Sequence, residues 1–115
     1  MIFRQLFDYD TWTYTYLLAD EKSREAVILD PVFEKVDRDL RVLRELGLKL
    51  KYTIETHTHA DHITGASKLK QATGAKTVTG VDAGAELADI KLKDGDSIQL
   101  GDYEIKALST PGHTD

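Results

Sequence analysis

Thr56-His57-Thr58-His59-Ala60-Asp61-His62-Ile63-Thr64-Gly65-Ala66 follows directly on Leu50 to Glu55, a run that reads as a β-strand. In extended backbone, side chains two positions apart point to the same side, so His57 and His59 can converge on one point. As the chain turns into a helix expected from near Ile63 to Thr73, Asp61 and His62 can point back to a neighbouring point. The chain has four histidines, three of them here. The fourth, His113, follows Pro111-Gly112, a pair that bends the backbone sharply and can aim a side chain inward. Surface or core histidines would scatter along the chain, and none do.

Three histidines and an aspartate within six residues read as a metal site. Asp61 also suits a helix N-cap, which is compatible with solvated loop histidines as well as with metal binding. Cysteine is absent, so thiolate ligands, disulfides and a cysteine nucleophile are excluded within these residues. The donors are then nitrogen and oxygen: imidazole suits zinc, iron and other borderline metals, and an added carboxylate favours a harder or catalytic ion.

Outward from this motif, strands and helices alternate. Phe3 to Phe7 and Thr11 to Leu18 read as a hairpin around Asp8-Tyr9-Asp10, with Trp12, Tyr14 and Tyr16 on one strand face. Ala26-Val27-Ile28-Leu29, ended by Asp30-Pro31, reads as a strand buried on both faces. A helix is expected from about Glu34 to Leu46, on the stripe Val36, Leu40, Leu43 and Leu46, with Gly47 as its left-handed terminus. Gly74 closes the second helix, Lys76 to Thr79 reads as a strand, and Ser97 to Leu100 pairs with Tyr103 to Leu108 through Gly101-Asp102. The expected class is α/β with a mixed sheet, and the loop after the strand ending at Glu55 is where such sheets place their sites.

Composition bounds the rest. The 115 residues are 41% hydrophobic and 30% charged, which fits one globular domain with a modest core. A net charge of −5 without a basic run argues against binding nucleic acid. No stretch approaches the ~20 apolar residues of a membrane span, and Met1-Ile2-Phe3-Arg4 lacks the features of a secretory signal. A cytoplasmic setting is the simplest expectation.

The motifs together resemble the metallo-β-lactamase superfamily, whose hallmark is H-x-H-x-D-H after a strand. Asp30-Pro31-Val32, Glu45-Leu46-Gly47-Leu48, the stretch Thr56 to Ala66, Asp94-Gly95-Asp96 and Ser109-Thr110-Pro111-Gly112-His113-Thr114 are similar, in order, to the persulfide dioxygenase branch. The resemblance implies the N-terminal half of an αββα sandwich, a mixed sheet with flanking helices, with residues 1–115 as a domain incomplete at its C-terminus. It implies a non-haem iron(II) enzyme that oxidises glutathione persulfide or a similar thiol persulfide to sulfite with dioxygen.

One Fe(II) per full-length chain would be held by His57 and His113, with a third ligand, an aspartate, expected beyond residue 115; zinc is the other metal considered. No catalytic side chain is implied beyond the metal centre. His59, Asp61 and His62, which hold metals in two-metal hydrolases of the superfamily, would instead orient ligands or water, or hold a second metal. The alternative activity is a binuclear zinc or iron thioester hydrolase of the glyoxalase II type. A further alternative is a non-catalytic fragment that assembles with itself or a partner half. Ala60, Ile63-Thr64 and Gly65-Ala66 favour the dioxygenase. Leu17, Val27, Ile28, Leu29 and Ile54 lie in strands expected to contribute to the core against the missing second sheet, and a sheet face left open makes a homo-oligomer the expected state.

Overall fold

The structure is a computed structural model and describes residues 1–10, 12–55, 65–80 and 88–106. Strands β1 (Ile2–Asp8) and β2 (Thr13–Ala19) form the antiparallel hairpin, in a register that sets Phe7 opposite Tyr14 and Arg4 opposite Leu17. β3 (Glu25–Leu29) returns antiparallel to β2. The chain then crosses through a 3-10 turn (Phe33–Lys35) and helix α1 (Val36–Leu46) to β4 (Lys49–Glu55), which lies parallel to β3. Helix α2 (Gly65–Thr73) leads to β5 (Lys76–Gly80), parallel to β4, and β6 (Ile90–Leu92) adds a further parallel strand.

Among the described residues the main sheet therefore has the order β1-β2-β3-β4-β5-β6. Strands β7 (Ser97–Leu100) and β8 (Tyr103–Lys106) form a separate antiparallel pair. The expected mixed α/β architecture is present. β6 was not expected: three residues with a lysine in the middle carry too short a pattern to read as a strand.

The helices stop where their glycines dictate. Gly47 adopts φ 67°, and its N–H and that of Leu48 bond back to Arg44 O and Leu43 O. Gly74 adopts φ 79° and donates to Lys70 O. Both positions need a left-handed backbone that residues with a Cβ enter at a cost.

Both helices pack on one face of the main sheet. Leu17, Ala19, Ala26, Ile28 and Leu50 from the strands meet Val36, Leu43 and Leu69 from the helices in one buried cluster. Because side chains alternate along a strand, Val27 projects to the opposite face, where β7 lies against β3. Val27, Val78 and Leu100 are all fully buried. Of the residues in these strands, Leu17 and Ile28 lie under the helices, and Val27, Leu29 and Ile54 share the other face by register. The β7–β8 turn is tied to the main sheet by Gly101 N–H donating to Glu25 Oε1 at 2.7 Å. A Cβ on Gly101 would run into the Asp20 carboxylate, so the turn docks there only as glycine.

Candidate metal centre

The register brings one end of every main-sheet strand to a common edge. Asp8 opposes Thr13, Leu29 opposes Ile54, Glu55 opposes Thr79, and Gly80 opposes Leu92. The H-x-H-x-D-H stretch leaves β4 at this edge, in the position where ligands reach the carboxyl ends of parallel strands. His57, His59, Asp61, His62 and His113 themselves lie outside the described residues, and with them the expected convergence of His57 and His59. Among the described residues, no group of three His, Cys, Asp or Glu side chains could hold a metal ion.

The described surroundings of that stretch are ordered by a short backbone network. Asp30, immediately after β3, has φ 53°, a left-handed conformation that Asp tolerates better than most residues. Its N–H donates to Ile54 O at 2.7 Å, and its carbonyl accepts the Thr15 hydroxyl at 2.9 Å. Pro31 O accepts the N–H of Gly65, the first residue of α2, at 3.3 Å. The dipeptide thus bonds to the end of β4 and to the start of α2. Thr15, Thr53, Glu55 and Thr79 are buried polar residues at the same edge. Of these, Thr15 bonds to Asp30 O, whereas Thr53 Oγ1 is buried with no hydrogen-bond partner among the described residues, an arrangement that is unfavourable by itself.

A second polar cluster joins α1 to the hairpin at this edge. Asp8 is buried beside Lys35, whose ammonium lies 3.8 Å away, and it accepts the Asp10 N–H at 3.2 Å. Arg38 donates to Phe7 O at 3.2 Å and to Asp39 Oδ1 at 3.0 Å. Asp39 is 1% exposed, and its Oδ2 has no hydrogen-bond partner among the described residues. Burial pushes its carboxyl up to about 6, outweighing the neighbouring Arg38 guanidinium, which pulls it down. Sequence reasoning did not single out Asp8 or Asp39. For Asp39 the signal existed: it stands three residues after Val36 and one before Leu40, on the stripe that becomes the buried face of α1.

Beyond this cluster the hairpin presents aromatic rings. Phe7 packs edge-on against Tyr9 and Trp12, at centroid separations of 4.7 and 5.7 Å, and meets Tyr14 at 4.7 Å. Tyr9 and Trp12 are mostly exposed.

This edge, with a histidine-rich motif leaving the central parallel strand, defines the class. The profile of the Metallo-beta-lactamase superfamily matches residues 12–115, and the chain belongs to that superfamily. Within it, the chain is 47% identical to "Persulfide dioxygenase ETHE1, mitochondrial" of Bos taurus and 45% identical to that of Homo sapiens. Each match covers 99% of this chain and 45% of the relative. The crystal structure of ETHE1 from Myxococcus xanthus superposes with a TM-score of 0.90 at 50% identity, over 100% of this chain and 51% of that one. A hydroxyacylglutathione hydrolase of Rhodopseudomonas palustris is 36% identical over 88% of this chain and 40% of its own length. The chain spans about half the length of the curated relatives it matches.

Proposed function

We propose that the chain is part of an iron(II)-dependent persulfide dioxygenase that oxidises glutathione persulfide, or a similar thiol persulfide, to sulfite. The observation that carries this reading is the similarity over 99% of the chain to the persulfide dioxygenases ETHE1, which exceeds that to the hydroxyacylglutathione hydrolase. Residues 1–115 then form the first part of one metallo-β-lactamase-fold domain.

The donor set fits such an ion, since imidazole and carboxylate with no thiolate match non-haem iron with open positions. Iron(II) bound there would supply the redox chemistry by which dioxygen oxidises sulfur. His57 and His113 would hold the ion, with a third ligand from residues after Asp115. His59, Asp61 and His62 would hydrogen-bond the ligands and nearby water, which fixes imidazole tautomer and orientation. Persulfide and dioxygen are the small-molecule partners of this reading. Its cytoplasmic setting and homo-oligomeric state are part of the same proposal, although the mammalian relatives are mitochondrial by name. Among the described residues no helix is long and apolar enough to cross a membrane.

Metal analysis and oxygen uptake on glutathione persulfide test it in the full natural gene product. His57→Ala is expected to abolish iron binding and oxygen uptake, and His62→Ala to leave most of the iron bound. Two metals in the unsubstituted protein, with each substitution removing one, would favour the thioester hydrolase instead.

A further inference from the structure

Gly65 is excluded from carrying a side chain by space and not by backbone conformation. It is the first residue of α2 and is absent from the positive-φ glycines, unlike Gly74 at the other end of the same helix. A Cβ built on it would meet Pro31 C at 2.9 Å and Pro31 Cβ and O at 3.0 Å. Two of those three atoms are backbone. Pro31 cannot move aside cheaply, because its φ is locked by its ring and Asp30 before it is bonded to Ile54 and Thr15. At Gly74 a Cβ would meet nothing within 4 Å.

The same dipeptide therefore bonds to the end of β4 and to the start of α2, the two elements between which residues 56–64 fall in sequence. Asp30 N–H bonds to Ile54 O at the end of β4, and Pro31 O accepts Gly65 N–H at the start of α2. We propose that Asp30-Pro31 and Gly65 form a clasp that positions the metal-ligating stretch, with Gly65 as a positioning residue for the ion. This rests on the metal-site reading of His57, His59, Asp61 and His62.

Magnitudes support an effect on binding. Carbon atoms pack at about 3.5–4.0 Å, so relieving contacts of 2.9–3.0 Å displaces the helix start by about 0.5–1 Å. Metal–ligand distances tolerate only about 0.2 Å. A shift of that size at one end of the ligand-bearing stretch should weaken binding by about 10–100-fold, the loss typical of disturbed ligand support.

The test uses the full natural gene product with Gly65→Ala, Gly74→Ala and Thr15→Val. The readouts are Zn(II) and Fe(II) affinity by chelator competition, the visible spectrum of the Co(II)-loaded protein, and amide exchange of residues 56–64 in the metal-free protein. Gly65→Ala is expected to lower affinity at least about tenfold, shift the Co(II) bands and speed exchange. Gly74→Ala, strained by its left-handed backbone, should lower the melting temperature yet leave affinity within about twofold. Thr15→Val, which removes the bond to Asp30 O, should weaken binding by a smaller factor and also speed exchange.

Unsubstituted affinity, spectrum and exchange in a folded Gly65→Ala protein would overturn the clasp. So would an equal metal loss in Gly74→Ala at matched stability. If Gly65→Ala does not fold, unchanged binding and exchange in Thr15→Val overturn it. If the unsubstituted protein binds neither ion, the metal reading fails, and the exchange measurement alone decides the clasp.

Discussion

The two faces of the main sheet are finished to different degrees. Under α1 and α2 the face is closed by aliphatic side chains, with Leu17, Ile28, Val36 and Leu69 at 0–1% exposure. On the other face the β7–β8 pair covers Val27 beside β3, while Phe3 and Tyr14 remain about half exposed further along the sheet. Strand alternation makes both faces from the same strands, with neighbouring residues pointing to opposite sides, so one sheet carries a completed core and a partly completed one. The open part is aromatic: Phe3, Phe7, Tyr14 and Tyr16 pack along the hairpin in tilted and stacked pairs. Rings of this kind tolerate partial exposure while offering large apolar area to a second layer.

Substitutions on each face can break this contrast. Leu69→Ala removes a fully buried side chain from the closed face and should lower unfolding free energy by about 2–5 kcal/mol in chemical denaturation. A loss below about 1 kcal/mol would mean the helix face is loosely packed.

Asp39→Asn probes a buried carboxyl whose pKa is raised. Its folded value of about 6 exceeds the ordinary 3.8, so the folded state binds the extra proton between those values. Stability contributed by this group therefore falls as pH rises through that window, and the ionised form is disfavoured above it. Asp39→Asn should accordingly raise stability at pH 7, by up to about 3 kcal/mol. The gain should shrink as pH falls from 6 and vanish below 3.8, where Asp39 is protonated folded or unfolded. A gain that is independent of pH would assign it to something other than the charge.

On the second face, Gly101→Ala should cost about 1–3 kcal/mol, because φ 56° and the Asp20 carboxylate both oppose a side chain. Unlike Leu69→Ala, it should mobilise β7–β8 ahead of global unfolding, seen as early amide exchange at Ile98 and Leu100. Tyr14→Ser should have the smallest effect, about 0.5–1.5 kcal/mol in the isolated chain, because the ring is half exposed yet packs on Phe7 and Tyr16. It should also weaken self-association in sedimentation if the open face is what copies of the chain bury. An effect as large as that of Leu69→Ala would show that the two faces are equally closed.

The residues announce some of these features and conceal others. Ala26 to Leu29 reads as a two-sided strand because all four are apolar, and Ala26, Val27 and Ile28 are indeed fully buried. That uniformity is also why the layer faced by each could not be read: with apolar residues on both faces, alternation carries no label. Gly47 and Gly74 were legible as helix ends because their role is conformational and local. Gly65 was quoted only as part of a motif, since its constraint is contact with Pro31, which the linear chain does not display. The left-handed Asp30 was hidden likewise, as Asp-Pro commonly marks a turn without fixing its hand. The histidine motif was legible as chemistry; its geometry lies outside the described residues.

The Gly101–Glu25 bond has a kinetic consequence. It joins residues 76 positions apart, whereas the parallel strands β3, β4 and β5 each pair with the next strand in sequence. Contacts between distant positions form late, because the intervening chain must first surrender its freedom. The crossover units around α1 and α2 can therefore assemble while the chain emerges from the ribosome, and docking of β7–β8 onto Val27 must wait until residue 101 is available. During that interval Val27 is uncovered on a strand edge-to-edge with apolar neighbours, and this is the period in which a nascent chain is most exposed to aggregation.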